Sequence, residues 1–587
     1  MPRKPVDVGN TLVAASFSPD GAWLSLSGYH PRHGTVELTG LPPFDEAWRG
    51  DPDAVRRYRG WMTAERHAFL RLQVRHVAGH EVETTAADGE SCIEQRHALL
   101  AAAGETAKLT LLVRGRLDRP ALAEITEVSP LPPTGAGTLA TPDGARLRLA
   151  APDLPAGVTV EVAAGGRPPA RWNGIGADAA QLVLEWTGRL ELVVRCTLDA
   201  LQAGPARATE SACGPAPRSQ QLWTSRVRLH TGERHREALA HIRLGALRYV
   251  RGCTALRVGP REVCLLADHR ILPLSWTRDA YYQALLLLAS GDRDAGGLVA
   301  DHLRWLFGRC RRDGAAWHRS HLANGERKDS AYQADQQLYP LLELADYRAA
   351  TGTFPEAPEG TSWSKLVREV WRSLPISEQG LVSTDENPAD DRSHLPHPLS
   401  TQILAWYLAV RLEELDGELE LEPLALDEAA ERLRASISPL FTRPGPHGDQ
   451  WAYEIDGEGR ARLYADANDL PTALAPAWGF CRADDPVWRA TMRFAFSEHN
   501  PGYARGRLGG LGSLHTPGTW PLGDIQEWVA ASLSGDPVRA EAALDRLALV
   551  RAGDGLLPET YDPDTGAWRA RHWFAWPAAA LGALASA

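Results

Sequence analysis

Carboxylates set beside tryptophan, tyrosine and histidine recur through the C-terminal half of this chain. They stand in Trp276-Thr277-Arg278-Asp279, in Ala334-Asp335 leading to Tyr339-Pro340, and in Pro388-Ala389-Asp390-Asp391. They return in Asp466-Ala467-Asn468, from His515 to Trp520, in Pro558-Glu559-Thr560-Tyr561 and in Trp573-Phe574-Ala575-Trp576. This mixture suits sugar chemistry. Carboxylates supply acid, base and paired acceptors for hydroxyls, and aromatic faces cover the apolar C–H faces of a pyranose ring.

Each group also has a plainer explanation. Arg278 and Asp279 open an apolar helix behind Pro273-Leu274-Ser275-Trp276, where an Asp is a favoured cap. The same pair clamps vicinal hydroxyls, with Trp276 as a stacking wall. Asp335 heads a helix carrying Leu338, Leu341, Leu342 and Leu344, and desolvation there would raise a carboxyl pKa and suit a general acid. An ion pair with Arg327 or Lys328 is the alternative. Asp390 and Asp391 lie in a loop marked by Asn387 and Pro388, where adjacent acids are usually solvated.

Glu559 has turn-like flanks, and Glu527, Asp524 and Glu454 compete with it for a catalytic role; spacing does not choose among them. Inverting glycosidases need two carboxylates about 6.5–9.5 Å apart, and that separation belongs to the fold. His394 and His397 lack the further ligands that a zinc site uses. Neither a metal nor a cofactor is expected.

The elements that must position these residues fall into two kinds. At 587 residues, 44% of them hydrophobic, the chain exceeds one ordinary core. Up to about residue 202 short apolar or alternating runs dominate, such as Lys108 to Arg114, Leu182 to Trp186 and Leu190 to Arg195, which predict an antiparallel β-sandwich domain over 1–202. A helical insertion is expected from Asp51 to Val77, and Trp23, Trp61 and Trp172 as core. Residues 203–232 shift to Ala, Gly, Pro, Ser and Arg and are expected to be a linker.

From 233 to 587 amphipathic patterns recur: Glu233 to Val250, Trp276 to Ala289, Ala295 to Cys310, Ala331 to Ala350, Trp363 to Ser373, Leu399 to Leu415, Leu426 to Ile437, Leu470 to Phe480, Pro486 to Ser497, Leu522 to Leu533, Pro537 to Val550 and Ala575 to Ala587. About twelve helices with short loops fit an (α/α)6 barrel, the six-hairpin toroid, whose central funnel is built by inter-helix loops. No repeated period supports a helical solenoid.

Composition narrows the partners. The net charge of −11 arises from interspersed charges, and no basic stripe carries interleaved aromatics, so nucleic acid is not expected. No apolar run approaches the roughly 18 residues of a membrane span, and no signal-like segment follows Met1-Pro2-Arg3-Lys4, so no membrane partner is expected. Seven scattered cysteines without a CxxC pair point to a reduced, cytoplasmic protein. An oligosaccharide or glycoside substrate is the expected partner; the oligomeric state is not legible.

Taken in order, the blocks resemble those of the metal-independent exo-α-1,6-mannosidase family of glycoside hydrolases. Ala452 to Gly457, Asn500-Pro501-Gly502-Tyr503 and Gly512-Ser513-Leu514-His515 extend the match, which covers most of Trp276 to Leu584. The resemblance implies an α/α toroid and an exo-acting, anomer-inverting hydrolase. It implies Asp335 as general acid and Glu559 as the base that activates water. Arg278, Asp279, Asp390, Asp391, Asp466 and His515 fall where the family binds the terminal sugar, and Trp520, Trp573 and Trp576 where it shapes the funnel.

Thr277, Ala280, Gln333-Ala334 and Gln336-Gln337 depart from the family's usual residues, which bears on the sugar more than on hydrolysis. A β-domain, a linker and then a toroid is also similar to glucoamylases. An α-glucosidase of glucoamylase or debranching type is therefore the nearest alternative. A disaccharide phosphorylase fits less well, because a carboxylate at Glu559 would repel phosphate. A non-catalytic glycan-binding toroid is the alternative outside enzymology.

Overall fold

Alternation of buried and open positions organises the first third of the chain. In Ala107–Arg114 the side chains of Leu109, Leu111 and Val113 are buried between more open neighbours, and Arg189–Leu198 buries Leu190, Leu192, Val194 and Cys196 in the same rhythm. The computed structural model describes residues 4–40, 68–87, 89–118, 138–152, 154–165, 171–199, 222–270, 272–570 and 574–585. Between Val6 and Leu198 the described strands form two antiparallel sheets, one of nine strands and one of six.

In the larger sheet Ala107–Arg114 lies between Leu70–Arg75 and Ala179–Trp186, with Leu111 opposite both Leu72 and Leu182. In the smaller one Arg189–Leu198 lies between Gly157–Ala164 and Cys92–Ala101, with Val194 opposite Val162. Inward side chains of both sheets, among them Trp23, Leu111, Val160, Val194 and Trp172, share one apolar core. Trp23 and Trp172 are core, as expected; Trp61 lies outside the described residues.

The helix expected from Asp51 to Val77 needs correcting. Leu70–Arg75 is a strand, because Leu70, Leu72 and Val74 alternate with Arg71, Gln73 and Arg75 and pair with Ala107–Arg114. Residues 51–67 lie outside the described residues, as do 203–221 of the expected linker. The rest of that linker is packed: Trp223 is buried, donates from Nε1 to the Tyr281 hydroxyl at 3.1 Å and meets Trp478 edge-on.

Among the described residues, twelve helices organise the remainder: α1 (Arg236–Tyr249), α2 (Thr277–Ala289), α3 (Arg293–Arg304), α4 (Ala334–Thr351), α5 (Trp363–Ser373), α6 (Leu399–Glu413), α7 (Leu426–Phe441), the one-turn α8 (Leu470–Leu474), α9 (Pro486–Ala495), α10 (Pro521–Ser534), α11 (Pro537–Val550) and α12 (Ala575–Leu584), beside one further four-residue turn at Asp416–Leu419. They fall into two classes. Helices α2, α4, α6, α8, α10 and α12 are buried on nearly every side, whereas α5, α7, α9 and α11 bury one stripe and α3 is open only over its first turns.

The first class closes on itself. Helix α2 packs on α4, α4 on α6, α6 on α8, α8 on α10, α10 on α12, and α12 returns to α2. Helices α1, α3, α7 and α11 each lean on members of this set, α1 on α12, α3 on α2 and α4, α7 on α6 and α11 on α10. Among the described residues no helix is long and apolar enough to cross a membrane.

The sheets dock on the helices through buried polar contacts. Lys4 Nζ reaches Asp554 Oδ2 at 2.6 Å, Ser16 Oγ lies 3.1 Å from His269 Nε2, and the Arg257 amide donates to the Thr11 carbonyl at 2.7 Å. At the hairpin tip, Asn324 Nδ2 donates to the Pro31 carbonyl at 2.8 Å. Gly9 and Gly252 meet backbone to backbone, and a Cβ at Gly9 would overlap the Gly252 carbonyl oxygen. Gly9→Ala should therefore lower the melting temperature through an overpacking cost of about 1–3 kcal/mol. Calorimetric scans of both proteins check this; an unchanged transition would mean that the junction contributes nothing.

Candidate active site

The residues singled out in the sequence gather at the N-terminal ends of the closed set of helices. Trp276, Gln333, Asp469, Trp520 and Phe574 are the residues immediately before α2, α4, α8, α10 and α12. The loop of 384–392 precedes α6, that of 513–516 precedes α10, and that of 556–561 precedes α12. Helix N-termini carry partial positive charge, which favours carboxylates at this end.

Arg278 is the hub. Its Nη1 donates to Asp335 Oδ2 at 2.8 Å and its Nη2 to Asp390 Oδ1 at 3.0 Å; Asp279 Oδ2 lies 3.9 Å from its Nε. Arg278, Asp279 and Asp335 are all buried. The partner of Asp335 is thus Arg278, while Lys328 reaches Asp329 instead. Burial raises the Asp335 carboxyl above its ordinary range, Arg278 opposes this and Asp390 adds to it. For Asp390 burial also pushes upward, but Arg278, Gln333, His515 and Arg319 together hold it below the usual carboxylate value.

Local chemistry explains how these groups are aimed. Pro340 inside α4 has no N–H, so the Gln336 carbonyl loses its helical partner, and the Thr277 hydroxyl donates to it at 2.7 Å. Thr277 and Gln336, two of the departures from the family pattern, are therefore a matched pair. Asp390 has φ of 64° and sits in the left-handed region, held by the Asn387 side chain, whose Oδ1 accepts from the amides of Ala389 and Asp391. That twist sends neighbouring carboxylates apart, Asp390 to Arg278 and Asp391 to His515 Nδ1 at 3.0 Å.

Glu559 is buried and accepts from Thr516 Oγ1 at 3.4 Å, next to His515. Paired backbone bonds between Thr519 and Tyr561 tie its loop to the 513–520 segment. Its competitors are engaged elsewhere: Asp524 with Arg546 and Tyr561, Glu527 with Arg539, and Glu454 with Arg462. Contacts thus run from Asp335 through Arg278 and Asp390, and from Asp391 through His515 and Thr516 to Glu559.

Several residues expected to contact the sugar are held by protein partners. Asp466 spends both oxygens on protein donors: Oδ2 accepts from Tyr464 at 2.6 Å and Ser513 at 2.7 Å, and Oδ1 from the Asn468 amide and side chain. It anchors the His515 loop, since Ser513 Oγ in turn accepts from the His515 amide. Trp276, Trp520 and Trp576 are 6%, 2% and 2% exposed. Trp576 stacks on Tyr282 and carries the Arg278 guanidinium 5.1 Å above its ring, while Trp520 Nε1 donates to the Thr516 carbonyl. Trp573 lies outside the described residues.

Other residues at the site were not among the expected site residues. Gln333 touches Asp390, Glu386 and Arg278, and Arg319 pairs with Glu386 at 3.0 Å. Tyr332 is half-buried, its hydroxyl has no partner among the described residues, and burial, then Asp385 and Asp335, push that hydroxyl upward. Asp469, raised by burial and then by Asp466, lies within electrostatic reach of Asp335. Only the tertiary fold brings these groups together.

Residues 361–585 match the family described as Metal-independent alpha-mannosidase (GH125). A stretch of 134 residues is 37% identical to the Meiotically up-regulated gene 157 protein of Schizosaccharomyces pombe, spanning 22% of this chain and 26% of that protein. Among solved structures, a metal-independent alpha mannosidase of Streptococcus pneumoniae, in a non-productive complex with alpha-1,6-mannobiose, superposes with a TM-score of 0.51 at 19% identity, over 60% of this chain and 95% of that one. A bacterial glucoamylase complexed with acarbose superposes with a TM-score of 0.58 at 11% identity, over 100% of this chain and 93% of the other. At these identities the structural likenesses concern the fold.

The bond to Asp391 raises His515 above its ordinary value of 6.5, against burial and with help from Asp390 and Glu559. A raised histidine contributes stability that is full below its unfolded value and is lost as pH rises through the folded one. Asp391→Asn should thus lower the melting temperature more on the acid side of that window than on the alkaline side. A pH series of thermal scans reads the difference, and equal losses on both sides would contradict a charged pair.

Proposed function

We propose that this chain, whose residues 361–585 match the family described as Metal-independent alpha-mannosidase (GH125), is an exo-acting, anomer-inverting α-glycoside hydrolase that removes a terminal α-linked mannose from an oligosaccharide or glycoconjugate. In this reading residues 1–202 are a β-sandwich domain, 203–232 a linker and 233–587 an (α/α)6 barrel whose funnel opens at the helix N-termini. The carrying observation is Asp335: a buried carboxyl, raised by desolvation, at the same mouth as the buried Glu559.

The terminal sugar sits with its hydroxyls on Arg278, Asp279, Asp390 and Asp391. As a hydroxyl takes Arg278 from Asp335, the carboxyl keeps its proton and delivers it to the leaving oxygen. Glu559 removes a proton from water on the opposite ring face, and the water attacks through an oxocarbenium-like transition state. These steps use carboxylates alone.

A second reading, an α-glucosidase of glucoamylase type, is favoured by the match of the whole chain to the glucoamylase fold. Initial rates on aryl α-mannosides and aryl α-glucosides discriminate between the two. Asp335→Asn and Glu559→Gln should each lower kcat by roughly 10²–10⁴-fold on the substrate that is cleaved. Turnover at the parent's rate in either variant would remove that residue from the mechanism. NMR of the first product should show the β anomer, and an initial α anomer would contradict inversion.

A further inference from the structure

Gln333 is fully buried just before α4. Its Nε2 donates to Asp390 Oδ1 at 2.7 Å and to Glu386 Oε2 at 3.1 Å. Its Oε1 accepts from Gln336 Nε2 at 3.0 Å and, at 3.4 Å, from Arg278 Nη1. A primary amide meets both demands, because the carboxylates require a donor and the guanidinium an acceptor. Gln336 locks the orientation from behind: its Nε2 donates to the Arg319 carbonyl at 3.1 Å, and its Oε1 accepts from the Arg278 amide at 3.1 Å.

Resting on the functional reading above, we propose that Gln333 is a positioning residue, whose carboxamide holds Arg278 and Asp390 so that the guanidinium is shared between Asp390 and Asp335. How firmly Asp335 holds its proton follows from that division. Gln333 acts only through those two neighbours and needs no contact with substrate.

Besides Arg278 and Asp390, Asp335 interacts electrostatically with Tyr282 of α2, Tyr339 of α4, Tyr332 ahead of it and Asp469 before α8. Asp279 acts on Arg278, Glu386 and Arg319 act on Asp390, and Asp385 acts on Tyr332. Gln333 is hydrogen-bonded to both Arg278 and Asp390.

Two substitutions of similar size pull in opposite directions. Gln333→Met removes the donor to Asp390 and the acceptor from Arg278, leaving the guanidinium more fully to Asp335. Gln333→Glu adds a third carboxylate that competes for Arg278. With full-length protein labelled at aspartate Cγ with 13C, the Asp335 resonance is identified by its loss in Asp335→Asn and followed through a pH titration. Its midpoint should fall in Gln333→Met and rise in Gln333→Glu, each by about one pH unit, the scale of a nearby charge.

Midpoints that stay at the parent's value, or that move the same way in both variants, overturn the proposal. Should circular dichroism show one variant unfolded, the sign in the other decides. Because the readout is a titration, failure to cleave any α-mannoside would sink the functional reading without touching this result. An active parent with unmoved midpoints would sink the role of Gln333 alone.

Discussion

One buried guanidinium shared between a buried and a partly buried carboxylate sets the terms for the rest of the site. Arg278 faces Asp335 and Asp390 at hydrogen-bonding distance from a position closed to solvent. Burying such groups costs several kcal/mol per ion, and removing the cation would strand both acids at a cost of about 3–5 kcal/mol. The surroundings offset this with aligned donors and acceptors: Gln333, Gln336 and Thr277 around Arg278, Trp576 beneath it, and the amino ends of the closed helices facing the carboxylates. One cation for two acids also leaves a negative remainder, which keeps a proton on Asp335 within reach.

The helices exist to bring their first turns to one mouth. Their near-complete burial explains why they are apolar on all sides, and the amphipathic helices that lean on them supply the solvent face. A defect in one of them is put to use. Pro340 frees a carbonyl on α4, Thr277 on α2 takes it up, and the bond fastens the two helices that carry Asp335 and Arg278. The departures at 277 and 336 are one structural adjustment shared between two positions.

The β-rich region contributes support from the side. Its hairpin tip holds the segment containing Asn324, and the same segment presents Arg319 to Glu386. Contacts at Lys4, Ser16 and Thr11 join it to helix termini and loops far along the chain. Arg319 in turn fixes Glu386, which accepts from Gln333, so the outer region is mechanically linked to the charged cluster.

The sequence alone determined the elements and the chemical types at the site. Helix and strand periods in 107–114, 189–198 and 277–289 reflect local burial, and Asp335, Arg278 and Glu559 were singled out by the resemblance of their sequence blocks. It misread 70–75, where arginines on the open face of a strand hid a period of two. Tertiary structure decided the partners: Arg278 for Asp335 across 57 residues, Asp391 for His515 across 124, and the consumption of Asp466 by Ser513 and Tyr464. It also placed the Trp576 ring beneath the Arg278 guanidinium. The reason is physical, since residue type and period record how much a position is buried, whereas ion pairs and shared hydrogen bonds depend on distances set only when helices remote in the chain close on one another.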